Sequence, residues 1–178
     1  MDIFVEQLVK KQKTGKDYLR IAACLIGVFA ALFAMTFGMA IQGIGFIIFV
    51  MCCALIYAMY LLITATNMEY EYCFTNGSLD VDKVINRRSR KRMLSLNTRK
   101  IEIMATKNNR AFQRNLEDRS LKKVYACTSV QAEDLCFLVY IEESGARKML
   151  LFNPNEKIRD GIRRYNPQKV FLNDENRD

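Results

Sequence analysis

The sequence contains a run of 46 residues, from Ile21 to Thr66, without a single Asp, Glu, Lys or Arg. A soluble domain does not tolerate an uncharged run of this length, whereas a bilayer requires one. As one helix the run would be about 69 Å long, more than twice the ~30 Å hydrocarbon core of a bilayer. We therefore predict a two-span transmembrane hairpin at residues 21–66, with spans at 21–40 and 44–64 on either side of Gln42-Gly43.

The distribution of charge predicts how this hairpin is oriented. Five cations precede the first span and none lies in the connection between the spans: Lys10, Lys11, Lys13, Lys16 and Arg20. The positive-inside rule then predicts a multi-pass protein of the plasma membrane with both termini in the cytoplasm. A cleaved signal peptide ending near Ala40 is the competing interpretation. The length of the run and the immediate second span favour the hairpin.

The first twenty residues form an amphipathic cytoplasmic segment. Asp2 is a candidate N-cap, the apolar residues between Ile3 and Val9 are interleaved with polar ones, and Gly15 is a candidate end. The pattern indicates a loosely amphipathic turn or two, which is either an interfacial helix under the lipid headgroups or a frayed or domain-packed N-terminus.

Small residues recur at four-residue intervals within the spans, as at Ala23, Gly27 and Ala31. Such stripes let helices approach closely in lipid. They indicate packing of the two spans against each other, and a homo-oligomer is the second interpretation. Neither span carries an Asp, Glu, Lys, Arg or His residue, so the sequence gives no sign of a transport pathway.

The remaining 112 residues, 67–178, are enough for one cytoplasmic domain, and they carry six more cations than acids. The chain has no histidine, no CxxC among its six cysteines and no glycine-rich phosphate loop. We therefore expect no cofactor, no metal site and no catalytic site, with a membrane-tethered enzyme as the alternative class.

After residue 66 the apolar pattern becomes alternating. Tyr70, Tyr72 and Phe74 share one face of a strand, and Asn76-Gly77 is a strong hairpin signal. The pattern predicts seven strands, at residues 69–74, 78–85, 92–96, 101–105, 123–129, 135–142 and 147–152. The strand at 135–142 is so apolar that it should be central.

Two further segments complete the domain. Residues 106–120 are polar without a clear period, which predicts a long exposed loop with one helical turn around Ala111–Leu116. A helix should follow Asn153 as N-cap, with Pro154 first and Glu156 closing a capping box. Residues 170–171 should then return to the sheet.

This order of elements resembles a bacterial pleckstrin-homology-like (PH-like) domain. The run Tyr72–Val81, the basic turn after it and the run Met93–Ile101 look like the opening of such domains, which follow a pair of membrane spans. The runs 1–9, 151–158 and 163–171 are similar to a group of small clostridial-type (Firmicute) membrane proteins of unknown function. The resemblance implies an α+β membrane protein, in which a two-helix transmembrane hairpin precedes a PH-like antiparallel β-barrel or sheet capped by a C-terminal α-helix. It implies no catalytic residues.

A basic segment is the candidate site. It places five cations within six positions: Arg87, Arg88, Arg90, Lys91 and Arg92. Because the linker after the second span is about three residues, the first strand should lead away from the membrane and the second should return. The turn at 86–90 would then face the lipid.

Three interpretations of the basic segment compete. It is a solvated turn that reinforces topology, a contact for anionic lipid, or a contact for an acidic protein partner or nucleic acid. Nucleic acid is disfavoured because the turn lacks interleaved aromatic residues and a recognition helix. The sequence thus predicts an interaction or scaffold domain at the cytoplasmic membrane face, apposed to anionic lipid, with a protein partner of unknown identity.

Overall fold

The computed structural model describes residues 3–41, 43–142 and 144–172, which form nine strands and four α-helices. In chain order these are β1 (Phe4–Lys10), α1 (Gly15–Gly38), α2 (Gly45–Thr64), β2 (Met68–Thr75), β3 (Ser78–Ile85), β4 (Ser89–Asn97), β5 (Ile101–Thr106), α3 (Arg110–Glu117), β6 (Lys122–Ala126), β7 (Cys136–Ile141), β8 (Arg147–Phe152), α4 (Glu156–Tyr165) and β9 (Val170–Phe171).

The chain forms two compact units. The β-domain comprises residues 1–12 and 69–178, and the helical unit comprises residues 13–68. The helical unit is thus inserted between the first two strands of the β-domain, which corrects the predicted boundaries at residues 20 and 66.

The interfacial helix at the N-terminus is wrong, because the segment forms strand β1, whereas the alternative of an N-terminus packed on the domain is confirmed. Its residues pair antiparallel with β2, from Phe4 opposite Thr75 to Lys10 opposite Glu69. The sequence also has a period of two here, with Val9 buried and Val5 packed against the core. Valine favours strands, and pairing with β2 adds a ladder of hydrogen bonds that an isolated helix would lack.

The helical unit contains two helices, α1 and α2, each long and apolar enough to cross a membrane. They pack through small residues: Cys24, Ala31 and Gly38 on α1 are buried, as are Gly45 and Cys52 on α2. A Cβ atom at Gly38 would lie 2.5 Å from Ile48 Cγ2, so the close approach requires glycine. Of the predicted stripe, Gly27 faces Met59 and Ala31 is buried, whereas Ala23 is exposed.

The first sheet has the order β1-β2-β3-β4. Tyr72, Phe74 and Leu79 on its inner face are fully buried, which confirms the alternation seen in the sequence. The Asn76-Gly77 turn joins β2 to β3, with both residues at positive φ. This sheet packs against the second sheet and against α4, so its inner face is shared by one hydrophobic core.

The second sheet has the order β6-β8-β7-β5-β9, and β7 is its central strand as predicted. Leu138 and Tyr140 of β7 face the core shared with the first sheet, whereas Phe137 and Val139 face a second cluster. Burial on both faces explains the continuous apolar run. The sheet is mixed, because β6 pairs parallel to β8 and β9 pairs parallel to β5.

The helical turn predicted around 111–116 is confirmed, but it is the two-turn helix α3, and this segment is packed on the sheet and is not an exposed loop. Asn109 caps this helix by accepting a hydrogen bond from the Ala111 N–H at 2.9 Å. Phe112 is buried, with its ring 5.6 Å from that of Phe137. The helix therefore covers the second face of the β7 sheet.

The C-terminal helix α4 forms, but its cap is Asn155 and not Asn153. Asn155 Oδ1 accepts the Ile158 N–H at 2.9 Å. Ile158 and Ile162 are fully buried in the shared core. The predicted cap, Asn153, is instead a buried connector whose amide accepts from the Thr128 N–H and donates to Asp134 Oδ1, both at 2.8 Å.

The described part of the chain contains two sheets and no closed barrel. The break lies between β4 and β5, where residues Thr98–Lys100 form a single 3-10 turn. Among the described strands, β4 pairs with β3 alone, and β5 pairs with β7 and β9. The α+β class is thus confirmed, whereas the antiparallel barrel is replaced by two packed sheets with free edges.

Candidate lipid-facing basic site

The basic segment belongs to the hairpin between β3 and β4. The turn is shorter than predicted, because Ile85 is already paired with Ser89 and only residues 86–88 lie between them. Asn86 and Arg87 have φ of 50° and 55°, a left-handed conformation that is unusual for arginine. Arg90, Lys91 and Arg92 consequently lie in strand β4 and not in the turn.

Three of the five cations are paired with carboxylates of the same sheet. Arg87 Nε lies 3.4 Å from Glu69 Oε1, and Arg90 Nη2 lies 2.6 Å from Glu71 Oε2. Arg92 Nε lies 3.1 Å from Asp82 Oδ1. The arginine side chains remain 60–85% exposed, so these pairs contribute little to stability but partly neutralise the segment.

Glu71 is the most buried acid of this group, with a side chain only 7% exposed. Burial raises the pKa of its carboxyl group, Arg90 lowers this pKa, and Glu6 and Asp82 raise it further. Within the described residues, no donor makes a well-angled hydrogen bond to Glu71 Oε2. The ionised carboxylate is therefore only partly compensated by its surroundings.

The other two cations, Arg88 and Lys91, have no carboxylate partner among the residues that the structure describes. Lys91 is also directly opposite Lys83 of β3 in the strand register. Like charges placed opposite each other across a ladder repel. The uncompensated positive charge of the hairpin therefore resides in Lys83, Arg88 and Lys91, and the first of these was missed from the sequence because it requires the register.

The structure also brings part of the N-terminal segment to this end of the sheet. Lys10 is opposite Glu69, and Glu69 is the partner of Arg87. The β-domain connects to α1 after β1 and to α2 before β2, so both connections leave the domain beside these residues. The opposite end of the sheet carries α4, because Tyr165 packs against Gly77 in the β2–β3 turn.

Several other side chains of chemically reactive types are buried. Burial raises the pKa of the Cys127 thiol, and it raises that of Cys136 to about 11. Tyr72 donates a hydrogen bond to the Ala126 carbonyl oxygen and accepts one from the Asn153 N–H at 3.3 Å. Within the described ranges, no group of three His, Cys, Asp or Glu residues is placed to hold a metal ion.

Two packed sheets closed by a C-terminal helix are consistent with the PH-like class, and the two helices inserted after the first strand are long and apolar enough to be compatible with a membrane-associated domain. The family model described as "Bacterial PH-like domain (DUF6106)" matches residues 1–172, and the chain belongs to this family. Because the match begins at residue 1, it includes β1 and both apolar helices. No curated protein and no solved structure matched the chain.

Proposed function

We propose that the protein is an integral membrane protein that holds its PH-like domain at the cytoplasmic face of the plasma membrane, where the basic hairpin contacts anionic lipid. The clostridial-type origin and the cytoplasmic termini are part of this proposal. The observation that carries it is the set of uncompensated cations at the end of the first sheet where both connections to the apolar helices leave.

The short connections between the β-domain and the apolar helices would limit how far the β3–β4 hairpin lies from a bilayer. Three residues, 65–67, separate the end of α2 from the start of β2, and Glu69 near that start is already in contact with Arg87. At roughly 3.5 Å per residue, three residues span on the order of 10 Å. This is comparable to the Debye length of about 8 Å at physiological ionic strength, so the cations would be within the range of an anionic surface.

The ion pairs reduce the expected strength of this contact. Each Lys or Arg near an anionic leaflet contributes about 1 kcal/mol at low screening. Among the cations of the β3–β4 hairpin, only Lys83, Arg88 and Lys91 are without carboxylate partners in the described residues, so we expect a contribution closer to ~3 than to ~5 kcal/mol before salt reduces it. Such a contact orients a domain that the apolar helices already anchor.

The experiment is flotation of the β-domain with liposomes. Because β1 is part of this domain, residues 67–178 alone would lack an edge strand. Residues 11–68 are therefore replaced by a four-residue hairpin loop that joins Lys10 to Glu69, which are opposite each other in the register. Circular dichroism establishes that this joined β-domain folds.

The expected result is binding to anionic vesicles that is lost at high salt and absent with neutral vesicles. The double variant Arg88→Ser, Lys91→Ser should lose most of this binding. The matched variant Arg163→Ser, Arg164→Ser removes the same charge from the exposed face of α4, at the other end of the sheet, and should retain it. Equal losses of vesicle binding in both variants would show that only net charge matters. This result would contradict the assignment of the lipid contact to the β3–β4 hairpin.

A further inference from the structure

Arg90 of strand β4 is held by a carboxylate two strands away. Its Nη2 atom lies 2.6 Å from Glu71 Oε2 of strand β2, although β3 lies between these two strands in the sheet. The Glu71 side chain is 7% exposed, whereas the Arg90 side chain is 60% exposed. A buried carboxylate therefore compensates a guanidinium that stays in contact with solvent.

The surroundings of Glu71 favour its neutral form. The charged and titratable groups around it on the four strands are Glu6 on β1, Glu69 and Cys73 on β2, Asp82 on β3 and Arg90 on β4. The Glu6 carboxyl group is in hydrogen-bonding contact with that of Glu71, and two carboxyl groups in contact repel when both are ionised. Burial and the two nearby acids outweigh Arg90 and raise the pKa of Glu71. Glu71 therefore takes up a proton at a higher pH than a solvated glutamate does.

Among the described residues, no second acid is placed to replace Glu71 once it is protonated. Strand β1 is three strand spacings from β4, or roughly 14 Å, so Glu6 is too far away for an ion pair with Arg90. Asp82 is closer, but its Oδ1 atom already accepts a hydrogen bond from Arg92 Nε at 3.1 Å. Protonation of Glu71 thus leaves the charge of Arg90 uncompensated.

We propose that protonation of Glu71 frees Arg90 and thereby strengthens the contact of the β3–β4 hairpin with anionic lipid as the pH falls. This inference rests on the proposed lipid contact, because it concerns the regulation of the same hairpin. Arg90 would join the cations that have no carboxylate partner among the described residues, which are Lys83, Arg88 and Lys91. Coupling between two binding events is reciprocal, so an anionic surface would in turn favour the protonated form of Glu71.

The test uses the full chain in nanodiscs that mix phosphatidylglycerol with phosphatidylcholine. The chain has no tryptophan, so Ser89→Trp at the exposed start of β4 introduces a single fluorophore beside the hairpin turn. All variants carry this substitution. A nitroxide on the headgroups of a small part of the phosphatidylcholine quenches the tryptophan when the hairpin contacts the bilayer. Quenching is followed at pH 7.5 and at pH 5 as the fraction of phosphatidylglycerol is raised, and the midpoint of each curve is recorded.

With Glu71 intact, we expect the midpoint to lie at an about threefold lower fraction of phosphatidylglycerol at pH 5 than at pH 7.5, because one cation is added to the site. Glu71→Gln should have a low midpoint at both pH values and lose most of this dependence. The matched variant Glu69→Gln removes one negative charge from the same strand but keeps Glu71, so it should retain the dependence on pH.

Two arginine variants distinguish the release of Arg90 from a general change in charge. Arg90→Gln should raise the midpoint about threefold at pH 5 and change it little at pH 7.5, where Glu71 compensates this arginine. Arg88 has no carboxylate partner among the described residues, so Arg88→Gln should raise the midpoint by a similar factor at both pH values. Both side chains are exposed, so these variants decide the question if Glu71→Gln does not fold.

Two results would overturn the proposal and leave the lipid contact standing. They are an unchanged dependence on pH in a folded Glu71→Gln variant, and an effect of Arg90→Gln that is equal at both pH values. Quenching that does not respond to phosphatidylglycerol at either pH would instead contradict the lipid contact itself, and the regulation of that contact with it.

Discussion

The sheet around β7 and the β3–β4 hairpin differ in how their strands use their edges. Strand β7 is hydrogen-bonded on both sides, and all its residues are apolar or aromatic. Its residues before Ile141 are buried, on both faces of the sheet. Strand β4 is bonded on one side and divides into a cationic half and an uncharged half. Stability should therefore depend mainly on the first region, whereas the proposed lipid-contact surface lies in the second.

The largest expected effect tests this division directly. Leu138 of β7 is fully buried in the shared core, so Leu138→Ala should lower the free energy of unfolding by about 2–5 kcal/mol. Ser95→Ala in β4 changes an exposed side chain and should alter it by less than about 0.5 kcal/mol. Urea unfolding of the joined β-domain, followed by circular dichroism, measures both. Similar losses would show that the edge strand is as important to stability as the central one.

The second prediction concerns Asn153, the buried side chain that connects the end of β8 to the segment before β7. Asn153 is almost fully buried and bonds to Thr128 and Asp134 on the segments that precede β7. Asn153→Ala leaves the Thr128 N–H without its partner, at a cost of about 1–3 kcal/mol. Asn155→Ala removes only the helix cap and should cost about 1 kcal/mol. The two variants are compared by the same unfolding assay, and a larger loss in Asn155→Ala would contradict the assigned roles.

This pair of asparagines also shows what the sequence could and could not predict. Local periodicity predicted most strands, the central position of β7 and a helix after residue 153, because each depends on neighbouring residues. The predicted N-cap of α4 was two residues too early, because Asn153 and Asn155 both precede residues that can start a helix. Only the packed position of Asn153 against Thr128 and Asp134 distinguishes them.

Long-range pairing explains the remaining differences. Strand β1 was predicted as a helix because its partner β2 lies beyond the whole helical unit. The five cations of the basic segment were found from composition, but their pairing with Glu69, Glu71 and the aspartates of β3 requires strands brought together by the fold.

The third prediction concerns Glu71, whose pKa is raised chiefly by burial. A raised pKa in the folded state means that this state binds the proton more tightly than the unfolded chain does. The contribution of Glu71 to stability should therefore increase as the pH falls from 7 through its raised pKa, and should be complete below the ordinary value of 4.5. Glu71→Gln should lack this contribution. Subtracting the stability of the variant from that of the wild type at each pH isolates it.

The control for this pH series is Glu69→Gln. Glu69 is the carboxylate partner of Arg87 in the neighbouring ion pair, so its replacement removes one negative charge from the same strand. A difference that stays constant with pH for Glu71→Gln, or one that increases toward neutral pH, would contradict the raised pKa.

The smallest expected effect lies in the turn itself. Arg87 has φ of 55°, a conformation that costs most residues roughly 1 kcal/mol and glycine almost nothing. The Arg87 side chain is 85% exposed in its ion pair with Glu69, so the pair offsets little of this strain. We therefore expect Arg87→Gly to leave the stability of the joined β-domain unchanged or to raise it by up to about 1 kcal/mol. Thermal unfolding measures this change.

The same variant sharpens the division between stability and surface function. Arg87→Gly should bind anionic vesicles somewhat more weakly than the wild type but more tightly than Arg88→Ser, Lys91→Ser, because Arg87 is partly neutralised by Glu69. A strained arginine that lowers stability while adding positive charge at the end of the sheet is what a surface site predicts. A clear loss of stability in Arg87→Gly would instead make this residue part of the framework of the hairpin, and its charge would then need no functional explanation.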